Sequence, residues 1–400
     1  MPVPRTLKIA SVVPILLVAS AVVSALTALR PFTSAPTVAQ ACPAWNGTQP
    51  STPQASVIGI ATLSPCQVLA AGNVLGPGNF NTLAVSFGGS SWAQERTPAP
   101  GDSSSLNSVA VTSEDNGWAA GTYASGQVTH ALIERWSGTS WVRQPVPEPG
   151  GAGRSTSLYG VAATSASDAW AVGNYRAPDG QLRTLIEAWN GTAWRQMASP
   201  NPGGAGRNDR LTAVSASLAD DAWAVGYYSD ARSARRALVL HWNGTSWRQV
   251  ATPSLGRSRG AMLFGVTAIS ASDAWAVGYL IRPGPSALVL HWDGHTWTRS
   301  VTPNPGSAIL SSVAASSASN VWAVGHSQRR SGQTASLILH WNGATWAQLP
   351  SPTPDAGDSA RLIGVTTSSA GNAWAVGTYS TPNGYAQGLF LHWSGRSWRA

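Results

Sequence analysis

A unit of about 50 residues recurs seven times between Leu63 and the last residue. One copy runs from Leu158 to Pro200: a strand-like LYGVAATS, the turn SASD, then AWAVG, a variable stretch, TLIEAWNGTAW and a tail ending in Pro. Repeats of this length that read as strands rather than helices form propellers, because no single unit can bury both faces of its sheet. The pattern predicts an all-β fold, a seven-bladed β-propeller of four-stranded antiparallel blades.

Two markers fix the register. The first is a Trp at positions 118, 170, 223, 275, 322 and 374, spaced 52, 53, 52, 47 and 52 residues apart, with Leu69 in that place in the first copy. The second is W-x-G-x-S/T-W, from Trp136–Trp141 in the second copy to Trp393–Trp398 in the last; the first copy reads Phe87 to Trp92. Together these places hold every Trp of the chain except Trp45.

Each copy divides into four short strands, a to d. In the fourth copy, a is read as Leu211–Ser217, b as Asp221–Tyr228, c as Ala237–Trp242 and d as Ser246–Ala251. Ser, Asn and Asp precede b, and Asn-Gly separates c from d, a pair suited to a tight hairpin because both residues tolerate positive φ. Each marker Trp is expected to bury its ring against the next blade while its N–H finds a partner.

Charged residues are only 10% of the chain, while Gly and Pro number 41 and 27, as short strands with many turns require. The net charge of +8 comes from Arg, since Lys8 is the single Lys. No basic run resembles a nucleic-acid-binding tail, so a nucleic-acid partner is not expected.

Arg5 and Lys8 precede an apolar stretch from Ile9 to Leu29, and Ala39-Gln40-Ala41 offers a small-x-small cleavage site. Residues 1–41 are therefore read as a signal peptide or an uncleaved membrane anchor, which places the protein outside the cytoplasm, secreted or held at the cell surface. Cys42 and Cys66 are the only cysteines. In an exported chain two cysteines are expected to pair, and a Cys42–Cys66 bond would close a loop of about 24 residues, contributing roughly 3 kcal/mol in the chain-entropy model. The extra Trp45-Asn46-Gly47-Thr48 echoes the c–d turns, so residues 42–54 are read as a closure segment packed on the last blade and 55–400 as the propeller.

The units resemble bacterial kelch-type repeats, whose second strand ends in glycine and whose fourth opens with Trp. The matching glycines are Gly72, Gly121, Gly173, Gly226, Gly278, Gly325 and Gly377, and the matching Trp residues include Trp92, Trp141 and Trp194. The second glycine of the kelch pair is absent, replaced by Asn73, Thr122, Asn174, Tyr227, Tyr279, His326 and Thr378. The c–d turn is also similar to the Asp-box of sialidases, with Trp or Phe in place of the Asp. Both resemblances imply a propeller and neither implies an activity. Kelch-type copper oxidases need two Tyr, His ligands and a Cys cross-linked to a Tyr; both cysteines here lie at the N-terminal edge, so no metal site and no cofactor are expected.

His241, His291, His340 and His392 each sit just before the first Trp of the second marker, one per blade, and are read as structural rather than as metal ligands. Asp168, Asp221 and Asp273, with Asn116, Asn320 and Asn372 in equivalent places, are expected to cap the a–b turns through backbone N–H groups. Asn-Gly-Thr at Asn190 and Asn243 matches the glycan-acceptor pattern but is explained as hairpin. With only 17 acidic residues, several in repeat positions, no carboxylate pair for glycoside hydrolysis stands out.

The b–c and d–a loops share one face of the ring and vary between copies, whereas the a–b and c–d turns are nearly identical. Recognition usually lives on variable loops of a rigid scaffold. These loops carry 14 arginines against seven acids, close to the whole net charge. Arg176, Arg183, Arg232, Arg235, Arg236, Arg282, Arg329 and Arg330 are the candidate ligand-binding residues. The expected function is non-catalytic binding of a protein, glycan or cell-wall polymer by a monomer; the alternative is a secreted sialidase- or lyase-like enzyme with its site in the central channel.

Overall fold

The computed structural model describes residues 45, 47–50, 54–256, 258–282, 284–303, 305–329, 332–353, 359–380 and 386–400. The expected signal or anchor, residues 1–41, lies outside them, as do Cys42 and Arg330. Cys66 is disulfide-bonded. Among the described residues no helix is long and apolar enough to cross a membrane.

The chain forms seven antiparallel sheets of four strands, each in the order a-b-c-d. The blades span residues 55–95, 103–144, 156–196, 209–249, 260–300, 308–349 and 360–399. Strand a of each blade packs on strand a of the next, and strand a of blade 1 (Ala55–Ser64) packs on strand a of blade 7 (Ala360–Ser369), so the ring is closed. The protein is a seven-bladed β-propeller.

In blades 2 to 7 the strand-b Trp inserts into the next blade. Trp118 lies 4.9 Å from Trp189 and 5.0 Å from Trp194, the latter edge-on at 86°. Trp170, Trp223, Trp275 and Trp322 repeat this geometry, each meeting a Trp pair of the following blade. At the seam Trp374 meets Phe87 at 5.0 Å and Trp92 at 5.4 Å. The expectation that every indole N–H finds a partner holds throughout one set, and elsewhere for Trp346, which donates to Ser300, and Trp45, which donates to the Thr48 carbonyl. The first Trp of the second marker donates to an a–b turn carbonyl of its own blade, as Trp136 does to Glu114 (2.9 Å) and Trp393 to Ala370 (3.0 Å). The inserted indoles of Trp118, Trp170, Trp223, Trp275, Trp322 and Trp374 have no hydrogen-bond acceptor; they meet the neighbouring ring edge-on instead.

Trp45 is buried at the seam, 5.2 Å from Trp374, and the Gln49 side chain donates to the Phe390 carbonyl and accepts from its N–H, both at 3.0 Å. In blades 3 and 4 the equivalent carbonyls, of Ile186 and Val239, are taken by the backbone N–H of Met197 and Val250. A side chain from the N-terminal segment thus does on blade 7 what strand d does elsewhere.

Two turn readings are corrected. In the c–d turns glycine alone takes positive φ (Gly191 +92°, Gly244 +84°), and the preceding Asn works through its side chain: Asn190 Oδ1 accepts from the N–H of Thr192 and Ala193. The Asp and Asn residues that open strand b do not cap backbone N–H groups. Four of them join a hydroxyl four residues back to strand c: Asn320 donates to Ser316 (2.7 Å) and bonds His340 (2.8 Å), Asp221 bonds Ser217 and His241, and Asn116 and Asn372 make the same two-sided link, whereas Asp168 bonds only Thr164 and Asp273 only His291. His241, His291, His340 and His392 stack on their own blade's inserted Trp at 4.1 to 4.2 Å.

The strand-b glycine answers a bulge in strand a. In every blade two residues of strand a have no partner on strand b, and at the first of them the strands close in. A Cβ on Gly226 would lie 2.0 Å from the Arg210 carbonyl, and the six equivalent glycines are as tightly placed. Gly226→Ala is expected to cost about 3 kcal/mol or more in urea unfolding, whereas Gly88→Ala, at open space with ordinary φ, should stay within about 0.5 kcal/mol.

Two carboxyls break the repeat. Glu134 and Glu187 are fully buried at the strand-c place held by Leu240, Leu290, Leu339 and Leu391 in blades 4 to 7, and none of their oxygens has a partner. Burial raises both to about 8, with Arg143 pulling Glu134 back slightly. Below their ordinary value of 4.5 both states hold the proton. Between 4.5 and about 8 only the folded state keeps it, so stability falls as pH rises, by up to about 1.4 kcal/mol per pH unit per group. His392, held near 4 by burial and by Arg399, acts oppositely below about 6.5. The readout is therefore the difference between proteins: the advantage of Glu134→Leu/Glu187→Leu over wild type in urea melts should grow from pH 5 to pH 8.

Candidate functional site

The first bulge of strand a in each blade falls on Ile58, Asn107, Tyr159, Thr212, Phe264, Ser311 and Ile363. All seven line one cavity of about 440 Å³ where the seven a strands meet. A bulge re-aims the extra side chain, and here it aims one from every blade at the ring centre. The cavity lies in the first half of each strand a, the half next to the b–c and d–a loops. Towards the a–b turns it is bounded by Ile60, Val214, Val266, Val313 and Val365.

The a strands approach closely at this level. A Cβ on Gly160 would sit 2.9 Å from the Ala213 Cα, and one on Gly265 the same distance from the Ser312 Cα. Blade-to-blade hydrogen bonds hold them: Asn107 donates to the Leu158 carbonyl (2.8 Å), Thr212 to the Leu263 carbonyl (2.9 Å) and the Val365 N–H to Ser312 (3.3 Å). The lining is rigid as well as mixed in chemistry.

Blades 3 to 5 give the mouth a cationic and aromatic strip. The Arg210 guanidinium lies 4.9 Å over Tyr159 and 6.0 Å from Tyr227, with its Nε inaccessible and without a partner. Arg235 lies 5.2 Å over the other part of this strip, the Tyr227 ring, and donates to Met262 Sδ, which also takes the Tyr279 hydroxyl. Tyr279 in turn stacks on Phe264 at 5.7 Å. Cation–π contacts of this kind hold an Arg in place while leaving its N–H edge for a ligand. In blades 6 and 7, Arg361 Nε donates to Thr378 (3.2 Å), and burial, then the Arg361 charge, lowers the pKa of His326 below its ordinary 6.5.

The arginines expected to form one basic face divide in two. Arg176 donates to the Gly180 carbonyl, Arg183 to the carbonyls of Gly204 and Arg207 and to Asp179, and Arg236 to Asp230; each braces loop structure. Hydrogen bonds from Arg236 and from the Arg232 N–H hold the exposed Asp230 below the usual carboxylate range. Arg232, Arg282 and Arg329 stand exposed on the b–c loops. Among the described predicted residues Arg235 alone joins this strip, through Tyr227 and Met262, and it does not line the cavity itself. Arg210, Tyr159 and Phe264 were not singled out. The signal for Tyr159 and Phe264 is a repeating L-x-small at the centre of strand a, in which x changes from copy to copy as Asn, Tyr, Thr, Phe, Ser and Ile.

No protein-family model matches the sequence, and no curated protein does. The fold is similar to solved propellers. The BP39L lectin from Burkholderia pseudomallei is 11% identical, with 87% of this chain and 98% of that one covered at a TM-score of 0.52. A GH74 xyloglucanase from Xanthomonas campestris is 15% identical over 84% of this chain and 54% of its own, at 0.51. YCF48 from Cyanidioschyzon merolae is 13% identical over 83% and 95%, at 0.49. At these identities the likeness is one of fold.

Proposed function

We propose that this chain is an exported, non-catalytic binding propeller with kelch-like blades, which takes a protein, glycan or cell-wall polymer on the face formed by its b–c and d–a loops. It works as a monomer, carried out of the cytoplasm or anchored by residues 1–41. Its bacterial, kelch-like character rests on the glycine ending strand b and the Trp opening strand d.

One observation carries the reading. The variable residue of every blade is delivered to one cavity, and its chemistry is that of a binding surface: Tyr, Phe, Asn, Thr, Ser and Ile around Arg210. Aromatic faces, amide and hydroxyl groups and a stacked guanidinium suit sugar rings or an anionic, hydrogen-bonding peptide. Glycoside hydrolysis asks for two carboxyls facing one bond, and the buried Glu134 and Glu187 lie in the c strands of blades 2 and 3, away from the channel. Polyanion attraction enters through Arg232, Arg282 and Arg329 on the rim.

Binding of the purified protein to an array of glycans and cell-wall polymers, at low and high salt, tests this. Arg210→Ser with Tyr159→Ala should weaken a hit about tenfold or more, equivalent to about 1.4 kcal/mol. Arg232→Ser/Arg282→Ser/Arg329→Ser should instead flatten its salt dependence. A ligand that binds equally to wild type and to both variants would place recognition elsewhere and end this reading.

A further inference from the structure

Six of the seven blade interfaces are filled by an inserted Trp. The interface between blades 1 and 2 has Leu69 there instead. The strand-c residue paired with that position is also small: it is His in blades 4 to 7, Arg135 in blade 2, Ala188 in blade 3, where the inserted Trp170 is kept, and Ser86 in blade 1. Two large side chains are thus missing from one slot. What remains is a half-open cavity of about 520 Å³, lined by Leu69, Ser86, Val111, Trp136, Glu95 and Glu114 among others.

The receiving half of the interface is nevertheless intact. Trp136 and Trp141 pack at 5.4 Å and 46°, close to the 5.9 Å and 47° of Trp189 and Trp194, which grip Trp118. The Trp136 indole is held by its bond to the Glu114 carbonyl. Of this pair Trp136 lines the slot, which therefore offers a planar ring one preformed aromatic wall.

Its charge is the reverse of the molecule's. The chain carries +8, yet the ionisable groups lining this slot are two carboxylates, Glu95 and Glu114, and no cation. Ser86 donates to one Glu95 oxygen (2.6 Å) and Gln67 to one Glu114 oxygen (2.8 Å), which leaves each carboxylate a second oxygen. Every lining residue but Glu95, which ends the short strand d of blade 1, comes from the a–b and c–d end of the ring, and none lines the central cavity, so this site is independent of the one proposed above.

We infer that the slot between blades 1 and 2 is a second binding site, for a small aromatic cation. The ring takes the place of the missing indole against Trp136, and the protonated amine meets Glu95 and Glu114. Hydrophobic burial and ring contact supply affinity, while the two carboxylates select charge.

Calorimetric titration of the full chain with tryptamine, indole and indole-3-acetate tests it. One saturable site is expected, with tryptamine at least tenfold tighter than indole-3-acetate and indole between them. Leu69→Trp/Ser86→His, which restores the residues of the other blades, should abolish binding without lowering the melting temperature. Should that variant fail to fold, Glu95→Gln/Glu114→Gln carries the test, since it should reduce tryptamine to the affinity of indole. Absence of saturation at millimolar tryptamine, equal affinity for all three compounds, or binding unchanged in these variants would overturn the proposal.

Discussion

The whole ring depends on one contact, the insertion of a strand-b Trp between two aromatic rings of the following blade. A buried Trp removes about 150–250 Å² from water, which at about 25 cal/mol per Å² is worth roughly 4–6 kcal/mol before entropy is counted. Each insertion also aims the next blade, because the edge-on contact at 81° to 89° fixes the angle between successive sheets. The unbonded indole N–H follows from this geometry: a hydrogen-bond acceptor beside it would have to enter the packed space between blades. The same contact closes the ring. Trp374 finds Phe87 and Trp92 as the others find their Trp pairs, and Trp45 covers its exposed side.

The second constraint is the strand-a bulge, and it links fold to site. A bulge leaves one residue outside the ladder, so its identity scarcely affects strand pairing. The glycine opposite cannot vary, because its Cβ would collide with a carbonyl. The result is a frame that holds Leu, Gly and Trp fixed while seven side chains at the centre are free to differ. A propeller built in this way can change what it binds without altering how it folds.

Much of the fold was legible because its determinants repeat. The Trp period set the blade count, and the register of strands b and c could be read from the residues flanking each marker. The bulge was not legible: it shifts strand a by one residue against strand b, and a shift of one reverses which side chains face the channel. Tyr159 and Phe264 therefore looked like ordinary strand residues, and Arg210 like one more loop arginine. Charge misled in the other direction. Arg176, Arg183 and Arg236 belong to the basic face by sequence, but a loop with few apolar residues is held by guanidinium bonds to its own carbonyls and acids. Sequence composition cannot separate an arginine that braces from one that waits for a partner.

The departures from the repeat are not scattered. Blades 4 to 7 carry the full set of inserted Trp, stacked His, its Asp or Asn partner and a strand-c Leu. Blade 1 lacks the Trp and the His, blade 2 has Arg135 over Trp118 and the buried Glu134, and blade 3 has Ala188 in place of His and the buried Glu187. Substituting a carboxyl for a core Leu costs stability at neutral pH, and replacing Trp by Leu leaves unfilled volume, so neither helps the ring to fold. A ring closed by six insertions can tolerate one interface that lacks its own. The irregular arc is where the scaffold has stability to spare, and it is also where the slot lined by Leu69 and Trp136 lies.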